Sequence, residues 1–210
     1  MFFEYLFTEP LFAIVTLLGI IYALTIHEFS HAFSATLLGD DTAKDSGRLS
    51  LNPLTHIDFI GFLMLLLIGF GWGKPVSFNP NNLKNQKWGP AIIGFAGPLS
   101  NIISAFIFLG VLKYLIPFLN FSPSDLFIYF LEYLIIINIV LAIFNLIPIP
   151  PLDGSKILFA ILPDQFEDFK NFLEQNGSSI LLALLVLDGL FNLGIFRSLF
   201  NLVINLVNLI

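Results

Sequence analysis

The chain of 210 residues is 57% hydrophobic and only 11% charged, a composition typical of integral membrane proteins and not of soluble globular ones. Its sequence contains no cysteine, which excludes disulfides, thiolate metal sites and thiol catalysis, so any metal must be held by His, Asp or Glu. The net charge of -6, without a cluster of Lys or Arg, argues against nucleic-acid binding. We therefore expect an all-α, polytopic membrane protein with about four to five transmembrane helices.

Four long apolar runs are each long enough to form a helix that crosses the bilayer. They are residues 10–38, residues 91–116, residues 126–147 and the run from Ser178 onward. The first run lacks the basic region and the cleavage site of a secretory signal, so we expect it to be retained as a span. We assign residues 1–210 to a single membrane domain, with a core at 10–162 and a C-terminal helix and amphipathic tail at 178–210.

A fifth apolar run, residues 59–71, is about 13 residues long and ends in a glycine cluster, which favours a re-entrant or interfacial segment over a span. The loop around it contains short β-prone pieces interrupted by Gly and Asn-Pro, and we expect small strands or hairpins there, beside the membrane. If residues 59–71 do not cross, most Lys and Arg residues lie on one side, and the positive-inside rule places the N-terminus outside and the long loops in the cytoplasm. If they do cross, these charges are split between the two sides.

The stretch TIHEFSH, residues 25–31, places two histidines and a glutamate inside the first apolar run. His27 and His31 lie on one face of a helix, one turn from each other, where both imidazoles can bind a single ion. Glu28 is offset from His27 by about 100° and can reach a water on that ion without being a ligand. The alternative is a pair of core histidines. Because unpaired polar groups are costly at membrane depth, we predict a metal site with Glu28 as the base for hydrolysis.

A catalytic zinc site needs a third protein ligand, and the candidates at membrane depth are Glu132, Asp153 and Asp188. Asp153 lies in NLIPIPPLDG, where prolines cannot continue a helix and Gly154 relaxes the backbone, so its carboxylate can turn towards an ion. Asp188 also precedes a glycine, but no break precedes it, and Glu132 lies near the outer start of its helix. We predict Asp153 as the third ligand. With residues 59–71 not crossing, Asp153 and His27 then lie in the same, cytoplasmic half of the membrane.

Three motifs, HEFSH in a transmembrane helix, AGPLSN at residues 96–101 and NLIPIPPLDG closing a later helix, together resemble the site-2 protease family of intramembrane zinc metalloproteases, in its short form without PDZ or CBS domains. The resemblance extends from the first helix to about Leu162. It implies that His27, His31 and Asp153 hold one Zn²⁺ per chain, that Glu28 is the catalytic base, and that Asn145 positions substrate or the oxyanion. The implied enzyme is a zinc metalloendopeptidase of the HExxH type, acting on transmembrane proteins in the bilayer of the cytoplasmic membrane.

Two other functions stay open at this point. A membrane transporter of divalent metals would need a polar pathway to both faces, and no ionisable pair extends outward from the site. A catalytically inactive scaffold would show a damaged motif, whereas all four key residues are intact. His56 is a candidate secondary ligand or proton acceptor, although a histidine at the membrane boundary is more often only hydrogen-bonded. We expect Ser100 and Asn101 to serve helix packing through interhelical hydrogen bonds.

Overall fold

The computed structural model describes residues 7–68, 71–119 and 125–194, together with residues 197–198, 201 and 205. Helices joined by turns and irregular segments make up this part of the chain, and it contains no strand. The α-helices are α1 (Pro10–Leu37), α2 (Thr42–Asp45), α3 (Phe59–Ile68), α4 (Gly89–Gly110), α5 (Leu126–Asn145), α6 (Gly154–Ile161) and α7 (Glu167–Phe191). Short 3-10 helices cover Pro53–Thr55, Pro80–Asn82, Ile116–Leu119 and Asp164–Phe166, and a π-helical stretch, Val111–Leu115, continues α4.

Three of the described helices are long and apolar enough to cross a membrane: α1, α4 with its extension to Leu119, and α5. They correspond to three of the four long apolar runs, so the prediction of an all-helical membrane protein is confirmed. The fourth run, from Ser178, is the second half of α7, whose first turns after Glu167 are polar. The amphipathic tail predicted at the end of residues 178–210 lies mostly outside the described residues.

Small residues line the faces along which α1, α4 and α5 pack together, as is common where helices approach closely in membranes. Ala23 on α1 and Ala142 on α5 are fully buried. Gly19 of α1 lies so close to α5 that an added Cβ would come within 2.8 Å of the Tyr133 ring. Bulky apolar side chains point outward instead, among them Leu11, Leu18, Phe33, Ile103 and Phe106. The faces that meet lipid are therefore the bulky ones.

Helix α3 occupies the fifth apolar run and has 10 residues, which gives it a length of about 15 Å. The hydrocarbon core of a bilayer is about 30 Å thick, so α3 is about half as long as a helix that crosses it. The strands expected on either side of α3 are not found among the described residues. One isolated antiparallel bridge joins Ile57 to Gly73, and the Lys74 amide donates to the His56 carbonyl at 2.8 Å. Pairing does not continue, because the His56 amide donates to the Pro53 carbonyl at 2.9 Å and not to Lys74.

Asp40 joins the end of α1 to the segment that leads into α4. Its carboxylate is fully buried and accepts hydrogen bonds from Thr42 Oγ1 at 2.6 Å, from the Asn79 amide at 2.8 Å and from Asn82 Nδ2 at 2.8 Å. Burial by itself raises the pKa of the Asp40 carboxyl, but these hydrogen bonds outweigh it and hold the pKa below its usual range. The ionised carboxylate therefore stabilises this connection.

We expect the substitution Asp40→Asn to lower the free energy of unfolding by about 1–3 kcal/mol at neutral pH, because an amide nitrogen would face one of the donors. The pKa of Asp40 is lower in the folded state than in the unfolded state. Its contribution to stability is therefore present above the unfolded pKa of about 4 and is lost as the pH falls through the folded pKa. The difference between parent and variant should shrink below about pH 4. Thermal unfolding of the parent and the variant in detergent, at neutral and at acidic pH, measures this difference in stability.

Asp41→Asn is the matched control, since Asp41 is adjacent and exposed and its ion pair with Lys44, at 3.4 Å, lies on the surface. Such a pair contributes little to stability. Equal losses of stability in the two variants would show that the Asp40 carboxylate does not stabilise the connection between α1 and the segment that leads into α4.

Candidate active site

The two histidines of the TIHEFSH stretch lie on the buried face of α1, which packs against α4 and α5. Because they are four residues apart, their rings lie one helical turn from each other, with centroids 4.6 Å apart and planes at 88°. His27 is 3% exposed and His31 is 5% exposed. Both imidazoles are thus held inside the protein and not in lipid.

Asp153 reaches these histidines because α5 ends at Asn145 and a proline-rich turn follows it. The chain turns through residues 146–153 and enters α6 with Asp153 at the N-cap position. Gly154 is required in this turn, since a Cβ there would collide with the Leu146 carbonyl oxygen. The break in the helix therefore places a carboxylate against α1.

Asp153 uses its two carboxylate oxygens differently. Its Oδ2 lies 3.0 Å from His27 Nε2 and 3.0 Å from His31 Nε2. Its Oδ1 accepts a hydrogen bond from Lys156 Nζ at 2.8 Å, one turn further along α6. One oxygen thus faces the histidines, while the other is paired with an ammonium group that offsets its charge.

His27, His31 and Asp153 form a group whose ligand atoms all lie within 4.8 Å of one another. Two imidazole nitrogens and one carboxylate oxygen are a donor set typical of catalytic zinc sites, which keep a fourth position open for water or substrate. All three residues are buried, and their non-ligating polar atoms have partners of their own. The donor chemistry therefore fits a zinc ion.

The other ring nitrogen of each histidine is also bonded. His31 Nδ1 donates to the Ile93 carbonyl of α4 at 2.6 Å, and His27 Nδ1 lies 2.7 Å from Asn101 Oδ1, on the same helix. Such outer contacts hold imidazole ligands in orientation. Helix α4 thus supports both rings from the side opposite Asp153.

Comparison with known proteins identifies the family. The sequence model of peptidase family M50 matches residues 120–187. Three relatives, each named a "putative zinc metalloprotease", are YwhC of Bacillus subtilis, Rip2 of Mycolicibacterium smegmatis and MJ0611 of Methanocaldococcus jannaschii. They are 39%, 29% and 31% identical to this chain over 80%, 82% and 73% of its length, and over 78%, 67% and 76% of their own.

This chain belongs to peptidase family M50. The resemblance to the site-2 protease family is thereby confirmed. No solved structure matches the chain.

In this M50 chain, Glu28 lies beside the group of three ligands and is 8% exposed. It interacts electrostatically with His27 and with the buried guanidinium of Arg48. Arg48 is held in place by hydrogen bonds from its Nη2 to the carbonyls of Lys74 and Pro75. Within the described part of the chain the Glu28 carboxylate accepts no hydrogen bond, so its oxygens are available to a water or a substrate.

Asn145 is the last residue of α5 and is half-buried, at the start of the turn that carries Asp153. Its Nδ2 donates to the Leu141 carbonyl at 3.0 Å, which uses one of its two N–H bonds.

The remaining candidates lie outside the group of three ligands. Glu132 is exposed on α5, and Asp188 is half-buried on α7. His56 is fully buried, with Nε2 donating to the Ser50 carbonyl at 2.7 Å.

Sequence reasoning missed several residues around the site. Lys156, the partner of Asp153, follows it by three residues and could have been found by helical spacing. Asn138 lies in the interior of the apolar run of α5, and its polarity there was the signal. Asn101 is predicted to serve helix packing, and in the structure it also contacts His27. Gly97 has no side chain, and its role becomes visible only in three dimensions.

Gly97 of α4 makes room for both imidazoles. A Cβ at this position would lie 2.5 Å from His31 Nε2, 2.6 Å from His31 Cε1 and 2.7 Å from His27 Cε1. Since these are less than van der Waals contact, the substitution Gly97→Ala must displace the rings from Asp153. We expect at least tenfold weaker zinc binding, measured by competition with a chelator on the detergent-purified protein.

Gly110→Ala is the matched control on the same helix, because a Cβ at Gly110 would meet nothing within 4 Å. It should leave zinc affinity unchanged and, by improving helix propensity, not reduce stability. Normal zinc affinity in Gly97→Ala would mean that the rings do not depend on this close approach.

Proposed function

We propose that this chain is a zinc metalloendopeptidase of the HExxH type that hydrolyses peptide bonds in or near the transmembrane segments of membrane proteins. The observation that carries the proposal is the buried group of His27, His31 and Asp153 beside Glu28, within membrane helices of an M50 chain. The names of the relatives as zinc metalloproteases support it. The transporter and scaffold alternatives have no comparable support, since the hydrolytic residues are intact.

In this proposal His27 and His31 would hold zinc through Nε2, and Asp153 would hold it through Oδ2, the atoms that face one another. Zinc held there would supply Lewis acidity for the scissile carbonyl and would lower the pKa of the attacking water towards neutrality. Glu28 takes the proton from the attacking water and gives it to the leaving amine. Its free oxygens, one residue along α1 from His27, suit that role.

Asn145 is proposed to steady the developing negative charge on the scissile carbonyl oxygen. Its Nδ2 carries two N–H bonds, of which one is used by the Leu141 carbonyl. The second N–H is available as a donor at the beginning of the turn that presents Asp153. Donors placed where charge develops are a common means of lowering the barrier to acyl transfer.

The proposed membrane arrangement has α3 as a re-entrant segment and the apolar half of α7 as a further span, which gives four spans. The assignment of α3 as re-entrant is supported by its length of about 15 Å, which is too short to cross a hydrocarbon core of about 30 Å. Lys44, Arg48, Lys84 and Lys87 then share one side, so the positive-inside rule favours a cytoplasmic location for these loops and an external N-terminus. The active site would lie in the cytoplasmic half of the cytoplasmic membrane, reached by transmembrane substrates from the bilayer.

The proposed ligand set predicts the zinc content of three variants. The purified parent should contain one zinc per chain, and His31→Ala and Asp153→Ala should lose it because each removes one of only three protein ligands. Asp188→Ala is the control and should keep it, since Asp188 lies outside the group. Elemental analysis of the detergent-purified proteins measures the stoichiometry.

Zinc retained in Asp153→Ala would assign the third ligand to another residue and would contradict the arrangement described above. Absence of metal from the parent under every loading condition would remove the proposal of a metalloprotease altogether.

The role of Glu28 predicts a separation of binding from catalysis. Glu28→Gln should keep zinc, because Glu28 is not a ligand, yet lose cleavage by about 10²–10⁴-fold, because an amide cannot accept the proton of the attacking water. The measurement compares cleavage of a panel of tagged single-span membrane proteins, co-expressed with parent or variant. Glu132→Gln is the control, since Glu132 is exposed on α5 away from the site.

Full cleavage by zinc-loaded Glu28→Gln would exclude Glu28 as the base. Divalent-metal uptake into proteoliposomes that survives Glu28→Gln, without any cleavage by the parent, would favour the transporter alternative.

A further inference from the structure

Two buried amides form a hydrogen-bonded chain that runs from α5 through α4 to the candidate zinc site. Asn101 of α4 and Asn138 of α5 are both fully buried. Asn101 Oδ1 lies 2.7 Å from His27 Nδ1, and Asn101 Nδ2 donates to the Ala23 carbonyl at 3.0 Å and to Asn138 Oδ1 at 2.8 Å. Asn138 Nδ2 donates to the Leu134 carbonyl at 2.8 Å. These hydrogen bonds thus connect α1, α4 and α5.

The donor and the acceptor of each hydrogen bond between these amides follow from the two backbone carbonyls at which the bonds end. The carbonyls of Ala23 and Leu134 can only accept, so each must face an N–H. Asn138 therefore turns its Nδ2 to Leu134 and its Oδ1 to Asn101, and Asn101 uses both N–H bonds on Asn138 and Ala23. Flipping either amide would set an oxygen against a carbonyl oxygen in a buried site, which is costly.

With both N–H bonds used, Asn101 offers only its Oδ1 to His27. The facing Nδ1 of His27 must then carry a proton and donate it. In a neutral imidazole the remaining nitrogen, Nε2, has a free lone pair, and Nε2 is the atom that faces Asp153. The amide chain thus selects the tautomer in which His27 is ready to bind a metal.

We propose that Asn101, oriented by Asn138, is a positioning residue that holds His27 in its zinc-binding tautomer and ring orientation. This inference rests on the proposed function, because it concerns the same zinc. His31 has an equivalent bond from Nδ1 to the Ile93 carbonyl, which no side-chain substitution removes. His27 is the ligand whose support depends on side chains, and so the one that substitutions can test.

A purely structural role, as helix packing, is the competing explanation, and the same two helices supply its control. Tyr22 Oη of α1 donates to Ser104 Oγ of α4 at 3.3 Å, one turn along α4 from Asn101. Ser104 is 5% exposed, as buried as the ligands themselves. The variant Ser104→Ala therefore removes a partly buried interhelical hydrogen bond between α1 and α4 without changing a partner of His27.

The experiment measures zinc affinity by chelator competition on the full chain in detergent. We expect about 10–100-fold weaker binding in Asn101→Leu, the effect of removing an outer partner of a metal-bound histidine. Asn138→Leu should weaken binding in the same direction but less, since Asn101 keeps its bond to the Ala23 carbonyl. Asn138→Asp should bind within a few-fold of the parent, because a neutral carboxyl still accepts from Asn101 and donates to Leu134. Ser104→Ala should match the parent.

A second readout reports the histidine directly. The chain has only three histidines, so ¹⁵N-histidine labelling gives a simple NMR spectrum. In the zinc-loaded protein we expect the Nδ1–H signal of His27 to shift in Asn101→Leu, while the corresponding signal of His31 stays in place. Ser104→Ala, which changes the packing of α1 against α4 away from His27, should leave both signals in place.

The outcomes separate the inference from the proposed function. Parent-like zinc affinity in a folded Asn101→Leu, or equal losses in Ser104→Ala and Asn101→Leu, would overturn the inference and leave the zinc site intact. A parent that binds no zinc would overturn the proposed function and, with it, the inference. If Asn101→Leu does not fold, Asn138→Leu and Asn138→Asp decide, because equal affinities in these two variants would also overturn it.

Discussion

The structure of the site depends on one buried carboxylate. Asp153 Oδ2 lies 3.0 Å from both imidazoles of α1, and Oδ1 pairs with Lys156, so a single residue links the first helix to the turn after α5. A buried carboxylate is costly unless its charge is compensated and its oxygens are bonded. The break at the end of α5, the close approach of α4 and the start of α6 together meet that condition.

Helix α4 brings these elements together because its inner face lacks side chains where the neighbours come closest. A Cβ on Gly97 would overlap both imidazoles, and a Cβ on Gly94 would lie 3.0 Å from the Asp153 carbonyl oxygen. In a membrane, helices gain little from burying apolar surface, so close backbone contact and interhelical hydrogen bonds stabilise the bundle instead. The missing side chains at Gly94 and Gly97 therefore allow α4 to pack closely against its neighbours and also make room for the imidazole rings.

Composition and apolar run length were sufficient to predict an all-helical membrane protein, because lipid permits few backbone structures. Helical spacing likewise predicted that His27 and His31 share a face, and the prolines after Asn145 predicted a break that frees Asp153. The strands expected beside α3 were not found, since β-propensity depends on partners that a single segment does not specify. Gly97 and Asn138 went unrecognised for a related reason: their roles come from contacts between helices distant in sequence.

The polar arrangement of the site begins in the backbone. Three helix carbonyls, of Ala23 on α1, Ile93 on α4 and Leu134 on α5, accept hydrogen bonds from side chains around the site. Each carbonyl has a second lone pair beyond its helical bond and can only accept a hydrogen bond. The group that faces it must therefore donate, and this fixes the donors and acceptors in the hydrogen bonds that connect these carbonyls to His27 and His31. The helices thus impose the ring orientations before any ion binds. A loop, whose carbonyls are free to turn, would not determine them in this way.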